Sequence, residues 1–154
     1  MAAGLPHNGS VYVTGGFSDY DTVGCTYRYD AEEGQWSEIF SPMLSDRGFH
    51  ALVEVHDGRL WAIGGVDHPF SGRNVWEVEA LDVDDDLWTF AGQVLPIQPF
   101  LSTMRINTVK LGDGRICVFA VTSPHRLPML EYIPDKKMWF EMKDRLSVCE
   151  VLTD

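Results

Sequence analysis

Residues 11–36 read VYVTGGFSDYDTVGCTYRYDAEEGQW, and this stretch decides the fold. An extended-type run, Val11-Tyr12-Val13-Thr14, ends in the pair Gly15-Gly16, with Tyr29 and Trp36 further on. Outward from it, the same order returns twice. Leu60-Trp61-Ala62-Ile63 runs into Gly64-Gly65, 49 positions after the first pair, and leads to Leu81 and Trp88. Ile116-Cys117-Val118-Phe119 leads to Tyr132 and Trp139. The three tryptophans are 52 and 51 residues apart, and six residues separate each from its Tyr29, Leu81 or Tyr132. Turn signals, Asn8-Gly9, Asp57-Gly58 and Asp113-Gly114, precede the three runs. Two markers sharing one period identify a repeat.

Each unit reads as four short strands, a to d. Strand a covers Ala51–Val55 and Asn107–Leu111. Strand b ends at the glycines. Strand c covers Cys25–Asp30, Val75–Asp82 and Met129–Pro134, and strand d carries the tryptophan. Val, Tyr, Trp and Thr fill these runs while Gly, Pro, Asn and Asp separate them. No stretch keeps a 3.6-residue period, so helix is not expected. Paired glycines suit a sharp turn where another backbone passes close. The repeated aromatics suit the wedge between neighbouring sheets, because they bury the most area per residue.

This strand–Gly-Gly–aromatic–Trp pattern, with a period of about 50, resembles the kelch repeat. The resemblance runs from about Asn8 to Met142, with Leu81 in place of the usual Tyr and Ala120-Val121 in place of the third glycine pair. It implies an all-β, kelch-type β-propeller fragment of about three four-stranded antiparallel blades. The units are expected at about 8–40 (partial, lacking strand a), 47–92 and 103–142. Residues 143–154, with the strand-like run Leu146–Leu152, read as an extra strand or the start of a further blade. Whole propellers have roughly four to eight blades. Three are too few to close a ring, so a piece of a longer propeller is expected, with exposed sheet edges.

Charge narrows the partners. The net charge is −11, from 12 basic and 23 acidic residues. Phosphate backbones are bound by Lys and Arg that displace counterions, so nucleic acid is not expected. Anionic membrane surfaces are disfavoured by the same sign. No apolar run approaches the roughly 20 residues of a membrane helix, and Met1 to Pro6 does not read as a signal peptide. Cys25, Cys117 and Cys149 are too sparse for a disulfide framework, which points to a cytoplasmic setting. Asn8-Gly9-Ser10 then reads as a hairpin turn and not a glycosylation site.

No catalytic signature appears. His7, His50, His56, His68 and His125 are scattered without metal-ligand spacing. Cys117 reads as core, and Asp84-Asp85-Asp86 lacks the spacing of a calcium loop and reads as a solvated turn. No enzyme activity, cofactor or metal is expected.

Connectivity locates the binding surface. Alternating strand direction puts the d–a and b–c loops on one face and the a–b and c–d turns on the other. The second face is acidic, with Asp57, Asp84, Asp85, Asp86 and Asp113. The first carries the longer loops, Phe17–Val23 and Val66–Asn74, with Arg47, Arg73, Arg105 and Arg126 beside Tyr20, His68 and Phe70. Arginine and aromatics anchor interfaces, so these seven are the candidate partner-binding residues, and an acidic or phosphorylated peptide suits the arginines. The resemblance adds that kelch propellers commonly follow BTB and BACK domains. There the propeller holds a substrate and the BTB end docks a cullin ubiquitin ligase. The family's partner-contacting arginines sit where strand a begins; Arg47 matches that position and Arg105 lies one or two residues from it. An actin-associated scaffold and a copper oxidase of the same fold are the alternatives the resemblance offers.

Overall fold

Alternation of apolar and polar side chains drives the repeated runs into extended strands, as in Ser10–Ser18, which buries Tyr12 and Thr14 and turns Val11 outward. A computed structural model describes residues 2–70, 73–96, 105–121 and 129–142. They form three four-stranded antiparallel sheets, each a meander in chain order. The first holds β1 (Ala3–His7), β2 (Ser10–Ser18), β3 (Asp21–Asp30) and β4 (Gln35–Ile39). The second holds β5 (Ala51–Glu54), β6 (Leu60–Ile63), β7 (Glu77–Asp82) and β8 (Leu87–Val94). The third holds β9 (Arg105–Lys110), β10 (Ile116–Val121), β11 (Met129–Ile133) and β12 (Met138–Glu141), with one 3₁₀ turn at Pro134–Lys136. Among the described residues there is no α-helix.

Two expectations are corrected. The first unit does not begin at Asn8 without a strand a: Ala3–His7 is that strand, and Leu5 lies opposite Tyr12. Pro6 masks it in the sequence, yet β1 is an edge strand, where a missing N–H is tolerated. Nor does the first strand b stop at the glycines. Gly15 and Gly16 form a bulge with φ of 57° and 116°, and β2 continues to Ser18. The expected long loop Phe17–Val23 is therefore a tight hairpin closed by Ser18 opposite Asp21. The expected strand at Leu146–Leu152 lies outside the described residues.

The tryptophans take equivalent places, with Trp36 opposite Tyr29, Trp88 opposite Leu81 and Trp139 opposite Tyr132. Their surroundings differ. Trp88 is 2% exposed, and its indole N–H donates to Thr26 Oγ1 of the first sheet at 3.0 Å. Tyr132 meets Trp61 of the second sheet edge to face and Trp139 at a tilt. Trp36 is 58% exposed, because no described sheet lies against it. Trp88 and Trp139 thus look toward the sheet before them in the chain. Two apolar clusters fill the seams. Tyr12 and Ile39 meet Leu60, Leu81 and Trp88 in one; Trp61, Ile63 and Val78 meet Ile116, Val118 and Leu130 in the other.

The a strands lie side by side, β1 next to β5 and β5 next to β9. Glu54 ties them, facing His7 Nδ1 and Lys110 Nζ at 3.1 Å each. Those contacts, led by Lys110, hold the Glu54 carboxyl below the usual range.

Candidate functional site

The segment 40–50 connects β4 to β5 and straps the first two sheets together. Met43 N–H donates to Gly24 O at 2.9 Å, and Gly16 N–H donates to Arg47 O at 2.9 Å. A Cβ on Gly15 would lie 2.4 Å from Arg47 O, and one on Gly65 would lie 2.6 Å from Gly48 O. Gly15 and Gly65, one from each pair, are needed because the strap's backbone passes too close for any side chain.

Arg47 lies inside this strap and not on a surface. It is fully buried and ion-paired with the equally buried Glu79. Its Nη1 donates to Gly64 O at 3.2 Å and Glu77 O at 3.0 Å. Glu79 in turn accepts from Leu44 N–H at 2.6 Å and Ser45 N–H at 3.0 Å. Burial pulls the Arg47 guanidinium below its ordinary value, and Glu79 opposes that pull. The expected role as partner anchor is therefore corrected: Arg47 holds the strap. Beside it, His50 is 5% exposed, bonded to Thr14 Oγ1 at 2.7 Å, and pushed down to about 3 by burial and by the Arg47 charge.

The other candidates divide as follows. Tyr20 stands 79% exposed at the tip of the β2–β3 hairpin. Phe70, 74% exposed, and His68 share the loop between β6 and β7, their rings 6.0 Å apart edge to face. Arg73 closes that loop: its N–H donates to Asp67 Oδ1 at 2.6 Å, while its side chain stays 90% exposed. Thr22 Oγ1 donates to Asp67 O at 2.6 Å and fastens the Tyr20 hairpin to the Phe70 loop. The structure thus brings Tyr20, His68, Phe70 and Arg73 onto two tethered neighbouring loops. Arg126 and the side chain of Arg105 lie outside the described residues; Arg105 begins β9.

Sequence reasoning missed Glu79, whose buried pairing is set by an arginine 32 residues away. It also missed Phe40 and Leu44, 101% and 64% exposed on the same connection as Arg47, where nothing in the local pattern marks them as outward. On the opposite face the arginines are already engaged. Arg59 is paired with Asp57 and Arg115 with Asp113, in two matching Asp-Gly-Arg turns. In the Asp84–Asp86 turn, Asp82 Oδ1 accepts from Asp84 N–H at 3.1 Å. Among the described residues no group of three or more His, Cys, Asp or Glu is placed to hold a metal, and no helix is long and apolar enough to cross a membrane. Between the a strands lies a cavity of about 480 Å³, lined by Gly4, His50, Leu52, Ile106, Asn107 and Thr108 among others.

Comparison with known proteins follows the same pattern. Residues 1–41 and 47–93 match the family model described as the kelch motif. An F-box/kelch-repeat protein from Arabidopsis thaliana is 29% identical over 88% of this chain and 31% of its own length. N-acetylneuraminate epimerase from Pasteurella multocida is 28% identical over 56% of this chain and 23% of its own. The chain thus spans less than a third of these curated relatives. The solved structure of YjhT superposes with a TM-score of 0.72 at 15% identity, covering 95% of this chain and 54% of that one.

Proposed function

This chain belongs to the kelch-motif family, whose repeats make it a protein-interaction module, and from that premise we propose that its partner docks on the Tyr20–Phe70 loop face. One observation carries the reading. Two nearly fully exposed aromatics, Tyr20 and Phe70, stand on neighbouring loops fastened by the Thr22–Asp67 bond. Exposed aromatics held by a rigid support are what anchor protein interfaces. Arg73 beside them, its side chain 90% exposed and its Nε paired with Asp67 at 3.3 Å, is placed to meet a carboxylate or phosphate. The finer reading is the substrate-recognition part of a cytoplasmic ubiquitin-ligase adaptor. It is supported by the kelch resemblance and by the F-box in the name of the Arabidopsis relative.

The test is affinity capture with the full-length protein, followed by titration of the captured partner. Tyr20→Ala and Phe70→Ala should each weaken binding by about 2 kcal/mol, roughly thirtyfold. Unchanged affinity in both, with binding lost on charge reversal at Asp84–Asp86, would move the site to the opposite face.

The cavity between the a strands supports a second reading, a small-molecule site, because one relative is named an epimerase. Saturable calorimetric binding of N-acetylneuraminate that is lost in Asn107→Ala would establish it; no heat would remove it.

A further inference from the structure

The strap that Arg47 and Glu79 hold in place also has an outer side. Phe40 is fully exposed there and Leu44 largely so. Two hydrogen bonds fix these residues against the second sheet. Trp88 N–H donates to Ser41 Oγ at 3.3 Å, which sets Phe40 beside the start of β8. Leu44 N–H donates to the Glu79 carboxylate at 2.6 Å, and Phe90 of β8 stands directly opposite Glu79. Opposed residues of an antiparallel pair put their side chains on one face, with Cβ atoms about 5 Å apart. Phe90 therefore lies on the face to which Leu44 is bonded.

Register extends the patch. Val94 is opposite Glu77, which is two positions along β7 from Glu79 and so on the same face. Phe90 and Val94 are each about half exposed, whereas Trp88 on that face is covered by the first sheet. Strands β4 and β8 are the last of their sheets, on the side away from the adjacent a strands. Phe40, Leu44, Phe90 and Val94 thus line the outer end of the seam between the first two sheets. An exposed apolar patch rimmed by polar residues marks an interaction site.

Charge identifies the occupant. The two segments that build the patch, 35–46 and 74–96, contain no Lys or Arg. They do contain exposed carboxylates: Asp46, two positions from Leu44, and Glu77, opposite Val94. Arg28, which reaches this seam from the first sheet, is paired with Asp86 at 3.5 Å. Complementary potentials select partners and speed their encounter. We propose that this patch binds a segment of another protein that carries apolar side chains together with Lys or Arg. Its apolar side chains cover Phe40, Leu44 and Phe90, and its cations meet Asp46 and Glu77. The surface shares no residue with the Tyr20–Phe70 loops and selects the charge opposite to the one that suits Arg73.

Selection of random short peptides displayed against the whole chain tests this. The enriched sequences should combine aromatic or aliphatic residues with Lys or Arg. As free peptides they should bind Phe40→Ser and Leu44→Ser about tenfold more weakly than the wild type, or worse. Both side chains are exposed, so neither change removes core packing. Glu77→Lys should weaken the same peptides, and Tyr20→Ala should leave them unaffected. An absence of enrichment, enrichment of acidic peptides only, or affinities unchanged in both Phe40→Ser and Leu44→Ser would each overturn the proposal.

Discussion

Trp88 and Trp36 occupy the same register position, so their substitution separates position from surroundings. Trp88→Ala empties a filled seam and should cost about 3–5 kcal/mol in a denaturation experiment. Trp36→Ala should cost under about 1 kcal/mol because most of its ring already meets water. Equal losses would mean that the strand position itself, and not the covering sheet, sets the contribution. His50 supplies a pH dependence. Its folded value of about 3 lies below the ordinary 6.5, so the unfolded chain takes up the proton first as pH falls. Its contribution to stability is complete above about pH 6.5 and is lost progressively toward pH 3, with a slope of up to about 1.4 kcal/mol per pH unit. Melting temperatures from pH 7.5 to 5 should fall more steeply for the wild type than for His50→Gln; parallel slopes would show that His50 is not held neutral.

The strap formed by residues 40–50 is the element that the sequence described least well. Arginine is rarely buried, so Arg47 read as surface; the carboxylate that permits its burial stands on another strand. Breaking a buried pair leaves a charge without a partner, which costs about 3–5 kcal/mol. Arg47→Ala should therefore lower the unfolding midpoint sharply, whereas an interface role would leave stability unchanged and reduce only partner affinity. The regular parts were legible for a physical reason. Strands of period 2, the glycine pairs and the tryptophans recur at one spacing, so three copies reinforce one another. What did not recur was not legible. The edge strand Ala3–His7 carries Pro6 where the other units carry Glu54 and Lys110, and the bulge that shortens the Tyr20 loop to a hairpin depends on backbone conformation. Of the candidate site, the aromatic half (Tyr20, Phe70 and His68) sits where connectivity put it. Of the two candidate arginines with described side chains, Arg73 stays on the surface and Arg47 is buried.

At the scale of the whole molecule, the sheets form a short linear stack in which each contacts its neighbours, so local stability follows the seams. The graded burial of the five tryptophans has an optical consequence. Trp36 is the exposed one, while Trp61 and Trp88 are 3% and 2% exposed. Indole emission lies to the red in water and to the blue in an apolar seam, so the native spectrum should be a sum of two populations. Acrylamide, being neutral, reaches the exposed ring without interference from the chain's charge of −11. Trp36→Phe should remove the readily quenched, red-edge component and leave the remainder in place. A quenching curve that keeps its shape in the variant would mean that the Trp36 face of the first sheet is covered in solution. The molecule therefore carries its own fluorophore on an exposed sheet face, and whatever settles there announces itself without a label.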